Sequence, residues 1–310
     1  MNDITCIQKN TNTPPENGNN SISSFVKFLL VVVSVSLSPN RFSLGQSDSI
    51  DIYELDFHQL SKVKIISAAK VEQNIIEVPA TILIITKEEI KENGYFTLEE
   101  ALSSLPGFQF RNIQGMNSYI FQRGIPNQNN LTLILIDGVQ VNELNSGGFY
   151  AGGQYNLSNV ERIEVVYGPA SVVYGTNAIS GIINIITKSA MDGRKNVQFS
   201  VGNFNTLHSN FSYSFVNEDR AFAVALSGMY KQSDKLNLKD AEGDYNWSND
   251  LDNYENDYAL DLKIESGNFV FGTNFMQKKT TTSTMWKTTG TIYKDNGTLW
   301  NIRFINSYLK

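Results

Sequence analysis

Residues able to break bonds are scarce in this chain. It holds one cysteine, Cys6, and two histidines, His58 and His208. That count assembles neither a disulfide framework nor a Cys/His metal site, and no nucleophile is spaced with a base. No catalytic residue, metal site or cofactor is therefore expected. The acidic stretch 232–255, with Asp240, Glu242, Asp244, Asp250 and Asp252, lacks the D-x-D-x-D-G spacing of a calcium loop and reads as a solvated loop. With 25 Lys plus Arg against 31 Asp plus Glu, a net charge of −6 and no long basic run, nucleic acid is not an expected partner. The most distinctive stretch is "VYGPASVVYGTNAISGIINIITK", Val166 to Lys188. Gly168, Gly175 and Gly181 let the chain double back or approach other backbone closely, and Pro169 fixes φ after the first turn. A phosphate-cradling loop would need a Gly-rich turn opening a helix beside Lys and Ser/Thr, a context missing here. The chemistry implied is tight turning and crowding, ending in a β-branched strand.

The elements that must position this device change along the chain. Residues 1–24 are polar and rich in Pro, Asn and Gly, a composition of disorder. Residues 25–45 follow the plan of a secretory signal peptide: Lys27, an apolar run from Phe28 to Leu37, then Ser43-Leu44-Gly45. The run is shorter than the roughly 20 residues a membrane span needs. Residues 46–74 form a tail whose coherent piece is "YELDFHQLSKVKIISAAK". Residues 75–190 read as a compact α+β domain. Thr86 with Glu89 and Thr97 with Glu100 are capping boxes opening two helices, Pro106-Gly107 stops the second, and Asp137-Gly138 joins two strands of a hairpin. From residue 191 to 310 the period becomes two, giving about six strands of around ten residues, each with one apolar and one small or polar face. Short connections (Asn217 to Arg220, Ser266 to Asn268) alternate with long ones, the pattern of an outer-membrane barrel. A soluble antiparallel sandwich is the alternative.

Three stretches carry a family resemblance, in this order: "EVPATILIITKEEIKENGYFTLEEALSSLPGFQF", "FQRGIPNQNNLTLILIDGVQVN" and "NVERIEVVYGPASVVYGTNAISGIINIITK". Over roughly Lys62 to Lys188 they resemble the plug domain of TonB-dependent outer-membrane receptors. The resemblance implies an α+β plug domain followed by antiparallel β-strands of an incomplete transmembrane β-barrel. Its motif positions are Arg123, Gly124, Asp137, Gly138, Glu161, Arg162, Gly168, Pro169, Gly175 and Gly181. In the family, charges like those of Arg123, Glu161 and Arg162 pair with carboxylates on the barrel wall; ordinary surface salt bridges, worth ~0–1 kcal/mol each, are the alternative. "SKVKIISAA", with Val63, Lys64, Ile65, Ile66 and Ser67 at its centre, resembles the energy-coupling segment. Such a segment can add a strand to the sheet edge of a TonB-type periplasmic energy-coupling protein; a first strand of the plug is the alternative. Tyr150 and Tyr155, in the Gly-rich loop, are the implied ligand contacts.

The function implied is active uptake across the outer membrane of a scarce extracellular small ligand such as a ferric siderophore or cobalamin, with outer-membrane lipid around the barrel and no enzymatic step. A passive porin-like or adhesin barrel with a folded N-terminal domain is the runner-up, and a secreted soluble sandwich the third reading. Barrels of this family have about 22 strands. About 122 residues follow Lys188, enough for six, so a fragment, a truncated product or one piece of a split receptor is expected.

Overall fold

The computed structural model describes residues 64–67, 73–74, 80–114, 117–126, 131–143, 147–148, 151–234, 254–281 and 299–310. The polar extension, the signal segment, Val63, Tyr150 and the acidic loop residues Asp240, Glu242, Asp244, Asp250 and Asp252 lie outside the described residues.

The N-terminal domain is built around a five-stranded mixed sheet. Its strands are β3 (Thr81–Thr86), β7 (Thr132–Ile136), β8 (Val139–Gln140), β9 (Val160–Tyr167) and β10 (Gly181–Thr187), in the order β3-β9-β10-β7-β8. β10 runs parallel to β7 and antiparallel to β9. Two short helices follow β3: α1 (Lys87–Glu92) and α2 (Leu98–Ser103). Both begin where the sequence predicts. Thr86 and Thr97 accept from the amides of Glu89 and Glu100, whose carboxylates accept in return from the threonine amides. The Asp137-Gly138 hairpin forms with φ of 48° and 81°, the double positive φ of a type I′ turn.

A three-stranded sheet, β4 (Phe108–Gln114), β5 (Asn117–Gln122) and β6 (Ile125–Pro126), turns at Arg123-Gly124 between its last two strands. β1 (Lys64–Ile65) pairs with β2 (Gln73–Asn74) through only two residue pairs.

The second part is a six-stranded antiparallel meander: β11 (Lys195–Gly202), β12 (Thr206–Val216), β13 (Phe222–Ser233), β14 (Glu255–Ser266), β15 (Phe269–Thr281) and β16 (Leu299–Leu309), paired in sequence order. These are the period-two segments of the sequence. One face carries exposed apolar side chains, among them Phe199, Phe215, Leu260 and Ile305. The opposite face is polar and buried, with Asp257, Asp261, Asn274 and Lys278. The sheet is open among the described residues.

The larger apolar cluster joins one face of the mixed sheet (Ile134, Ile163, Val165, Ile183, Ile185) to the helices and to Met229, Ala259 and Met276 of the meander. The N-terminal domain therefore rests on the polar face of the meander. A second cluster on the other face of the mixed sheet contains Ile82, Ile84, Leu133, Leu135, Val166 and Ile182, together with Ile65 of β1.

Candidate functional site

The opening stretch of glycines builds the end of the mixed sheet. Gly168 has φ 107° and Gly175 φ 78°, both in the region that disfavours side chains. Gly181 meets a different constraint: a Cβ there would lie 2.3 Å from the Val166 carbonyl oxygen. Between the first two glycines a four-residue helix, α3 (Ser171–Tyr174), forms, an element the sequence reading did not contain. The loop closes on itself when the Ala170 amide donates to the Ala178 carbonyl and the Gly168 amide to the Ser180 carbonyl. The strand that follows, β10, buries Ile182, Ile183 and Ile185.

The face of the sheet that holds the second apolar cluster carries a polar island. Glu164 of β9 and Asn184 of β10 are cross-strand neighbours, in one row with Ile84 and Leu135, and both are buried. A buried carboxylate must be paired or hydrogen-bonded. Here the partner is the segment read as energy-coupling. Glu164 Oε2 accepts from the amides of Ile66 (3.2 Å) and Ser67 (2.9 Å) and from the Ser67 hydroxyl. Glu164 Oε1 takes both Arg162 Nε and a terminal guanidinium nitrogen at 2.8 Å. Asn184 Nδ2 donates to Ser67 Oγ at 2.9 Å, and Ile65 is 1% exposed in the apolar cluster. Lys64, Ile65, Ile66 and Ser67 are thus docked on the domain. Nothing in the spacing of Ser67 announces this partnership; the one signal was Glu164 and Asn184 standing among β-branched residues at core parity.

Contacts with the meander come from three places. Asp137, 5% exposed, accepts from the Thr187 amide (2.9 Å), the Thr187 hydroxyl (2.6 Å) and Tyr308 Oη (2.6 Å), and lies 3.2 Å from Lys263 Nζ. Burial pushes its carboxyl up, but Lys263 and the hydrogen bonds from Thr187 and Tyr308 outweigh that and hold it below the usual value. Asp137-Gly138 is therefore both a turn and an anchor.

The second contact is Asp261. Its Oδ2 accepts from Asn156 (3.1 Å), Asn159 (3.3 Å) and Ser227 (3.1 Å), and its Oδ1 from Asn274 (2.7 Å). The third is a buried network at the end of the sheet with the long connections. Lys278 Nζ lies 2.7 Å from Glu255 and 3.3 Å from Asp257, and Lys231 Nζ 3.1 Å from Glu255. The loop at Gly153 presses so close that a Cβ would lie 2.6 Å from Lys231 Cδ.

The charged motif positions find partners inside their own domain. Arg123 lies over the Tyr167 ring at 4.8 Å, Glu161 pairs with Lys87 at 2.8 Å and Arg162 with Glu164. Among the described residues neither Arg123 nor Arg162 pairs with a meander carboxylate, and the partner of Glu161 is Lys87 of its own domain. Lys87–Glu161 is exposed enough to contribute only ~0–1 kcal/mol. Tyr155 is buried beside a small cleft lined by Val141, Glu143, Lys278, Ile302 and Phe304, between domain and meander. Burial pushes its phenol upward. The residues that sequence reasoning missed, Glu164, Asn184, Asp261, Lys263 and the Lys231–Glu255–Lys278–Asp257 network, acquire partners only through tertiary packing.

Comparison with known proteins places this arrangement. The TonB-dependent receptor plug domain family matches residues 74–182. A vitamin B12 transporter of Vibrio vulnificus is 29% identical over 208 residues, 65% of this chain and 33% of that protein. An iron-regulated outer membrane virulence protein of Vibrio cholerae is 36% identical over 173 residues, 54% of this chain and 26% of its own length. Among solved structures, the ferripyoverdine receptor of the outer membrane of Pseudomonas aeruginosa superposes with a TM-score of 0.63 at 14% identity, over 80% of this chain and 33% of that one. The ferric yersiniabactin uptake receptor of Yersinia pestis gives 0.51 at 19% identity, over 66% and 32%. At those identities the structural likeness speaks to fold. The chain spans between about a quarter and a third of the length of these curated relatives.

Proposed function

We propose that this chain, whose residues 74–182 match the TonB-dependent receptor plug domain, supplies the plug and first wall strands of an outer-membrane receptor of that family for active uptake of a scarce small ligand. A ferric siderophore or cobalamin is the ligand class. The observation that carries the reading is the way the N-terminal domain stands against the polar face of an antiparallel meander whose other face is apolar. That arrangement is a plug against a lumenal wall, with the apolar face toward lipid.

Several features support the finer parts. The end of the meander with long connections, where Tyr155 and the buried charge network lie, is the proposed extracellular side, reached by ligand. Lys64 to Ser67 is the described part of the proposed coupling segment: a short extended piece ahead of the domain, attached by the Glu164 carboxylate, the Asn184 amide, the Ile65 side chain and two residue pairs with β2, which a TonB-type protein would engage by strand addition. A passive porin-like barrel is not favoured, because the domain packs on the polar face of the meander through a core shared with Met229, Ala259 and Met276. The test is direct. A synthetic peptide spanning Ser61 to Ala69 should bind the purified periplasmic domain of the host's energy-coupling protein, and a scrambled peptide should not. Equal binding of both peptides removes the coupling role from this segment.

A further inference from the structure

The outward face of the meander is not apolar to its end. Cross-strand pairing of β13 to β16 sets its side chains in rows. The rows toward the short connections are mostly apolar, as with Leu260, Phe275 and Ile305. Toward the long connections the character changes: one row holds Tyr230, Tyr258, Gln277 and Arg303, and the next Gln232, Asn256, Lys279 and Asn301. Tyrosines bordering an apolar band mark the level of lipid headgroups. Neither row contains an acidic residue, and among the described residues neither Arg303 nor Lys279 pairs with a carboxylate. We propose that this corner of the wall binds the phosphates of an outer-leaflet glycolipid through Arg303 and Lys279. The inference rests on the membrane reading above and on its placing of the long connections outside.

Hydrogen bonds hold the corner in shape. Gln277 is 6% exposed although it stands on the outward face. Its carbonyl accepts from Tyr258 Oη and from Arg303 Nε at 3.1 Å, and its amide donates to Asn301 Oδ1 at 2.8 Å. With Nε engaged the guanidinium plane is fixed, and its two terminal nitrogens can hold a phosphate bidentately. Lys279 is the diagonal neighbour of Arg303 across β15 and β16, on the other side of the bond from Gln277 to Asn301. Like charges that near repel, and a charge at a lipid-facing position carries a desolvation cost. Phosphate beside them offsets both. A headgroup with two phosphates and sugar hydroxyls suits two cations flanking an exposed Asn301, whereas a phospholipid with one phosphate uses less of the corner.

The experiment is native mass spectrometry of the 310-residue chain released from neutral detergent micelles, with added diphosphorylated lipid A, lipid A stripped of phosphate, or phosphatidylglycerol. The unmodified chain should retain diphosphorylated lipid A about tenfold better than either other lipid. Arg303→Gln combined with Lys279→Gln should lose that preference, a weakening of about tenfold or more. Arg220→Gln combined with Lys195→Gln removes the same charge at the end with short connections and should change nothing. Retention of diphosphorylated lipid A at the unmodified level by the Arg303 and Lys279 variant overturns the site. Phosphatidylglycerol retained as well as lipid A, and lost in the same variant, overturns the choice of a glycolipid. A loss confined to the Arg220 and Lys195 variant overturns the site and the outward placing of the long connections together. Should the Arg303 and Lys279 variant lose its β-sheet circular dichroism, the two single variants decide by the same readout. Self-association on withdrawing detergent, followed in the same samples, tests the membrane reading separately.

Discussion

Asp137 shows how one residue serves both a local and a distant demand. Its φ of 48° suits the first place of a type I′ turn, and its carboxylate then reaches Thr187, Lys263 and Tyr308. Asp137→Asn should keep the turn but leave the Lys263 ammonium buried without its counter-charge. We expect a loss of about 3 kcal/mol, read by denaturant unfolding in lipid vesicles. The carboxyl is held below its ordinary value of 3.8, so its stabilisation is complete above that value and is lost as pH falls through the lower folded one. Asp137→Asn should therefore flatten part of the acid limb of the stability profile; an unchanged limb would show that the pair does not anchor the domain. Gly168 and Gly175 set a different residue-scale limit. A valine at either, with φ of 107° and 78°, should misfold the domain, seen as lost protease resistance of the 80–188 region. Native resistance in both variants would contradict the turn assignment.

At the scale of elements, β9 joins the functions. Its approach, at Asn156 and Asn159, holds Asp261 of the wall, and its centre presents Glu164 to the docked segment. β1, by contrast, is held by little backbone pairing, with two residue pairs to β2, and is not a strand of the mixed sheet. Ile65→Pro removes a backbone donor and the apolar seat of that element together. In a receptor carrying this chain it should abolish ligand uptake by cells while ligand binding stays intact. Uptake at the unmodified rate would show that β1 is only a strand of the plug.

For the whole molecule the decisive feature is the two-sidedness of the meander. Val201 is 84% exposed, Ile305 67% and Leu309 64%, on the face turned away from the N-terminal domain. Exposed apolar side chains of this kind drive association in water and are satisfied by lipid. The 310-residue chain should be monodisperse in detergent and self-associate once detergent is withdrawn, as sedimentation velocity would register. A monodisperse preparation without detergent would contradict the membrane assignment.

Much of this was legible in the residues themselves. The two capping boxes, the Asp137-Gly138 hairpin, the turns at Gly168 and Gly175, and the six period-two strands all obey rules that act within a few residues. Those rules also set which side chains share a face. They do not set which strands become neighbours. The parallel pairing of β7 with β10 puts Leu135 beside Asn184, and β9 beside β10 puts Glu164 next to it, so a polar pair arises that no window of sequence contains. Ser67 fills that pair from 97 residues away, and Tyr308 reaches Asp137 across 171. Local preference fixed the elements because backbone torsions and alternation are short-range. The contacts of Glu164 and the wall anchors were left to the tertiary structure, since a buried carboxylate must find donors and takes whichever ones the fold brings to it.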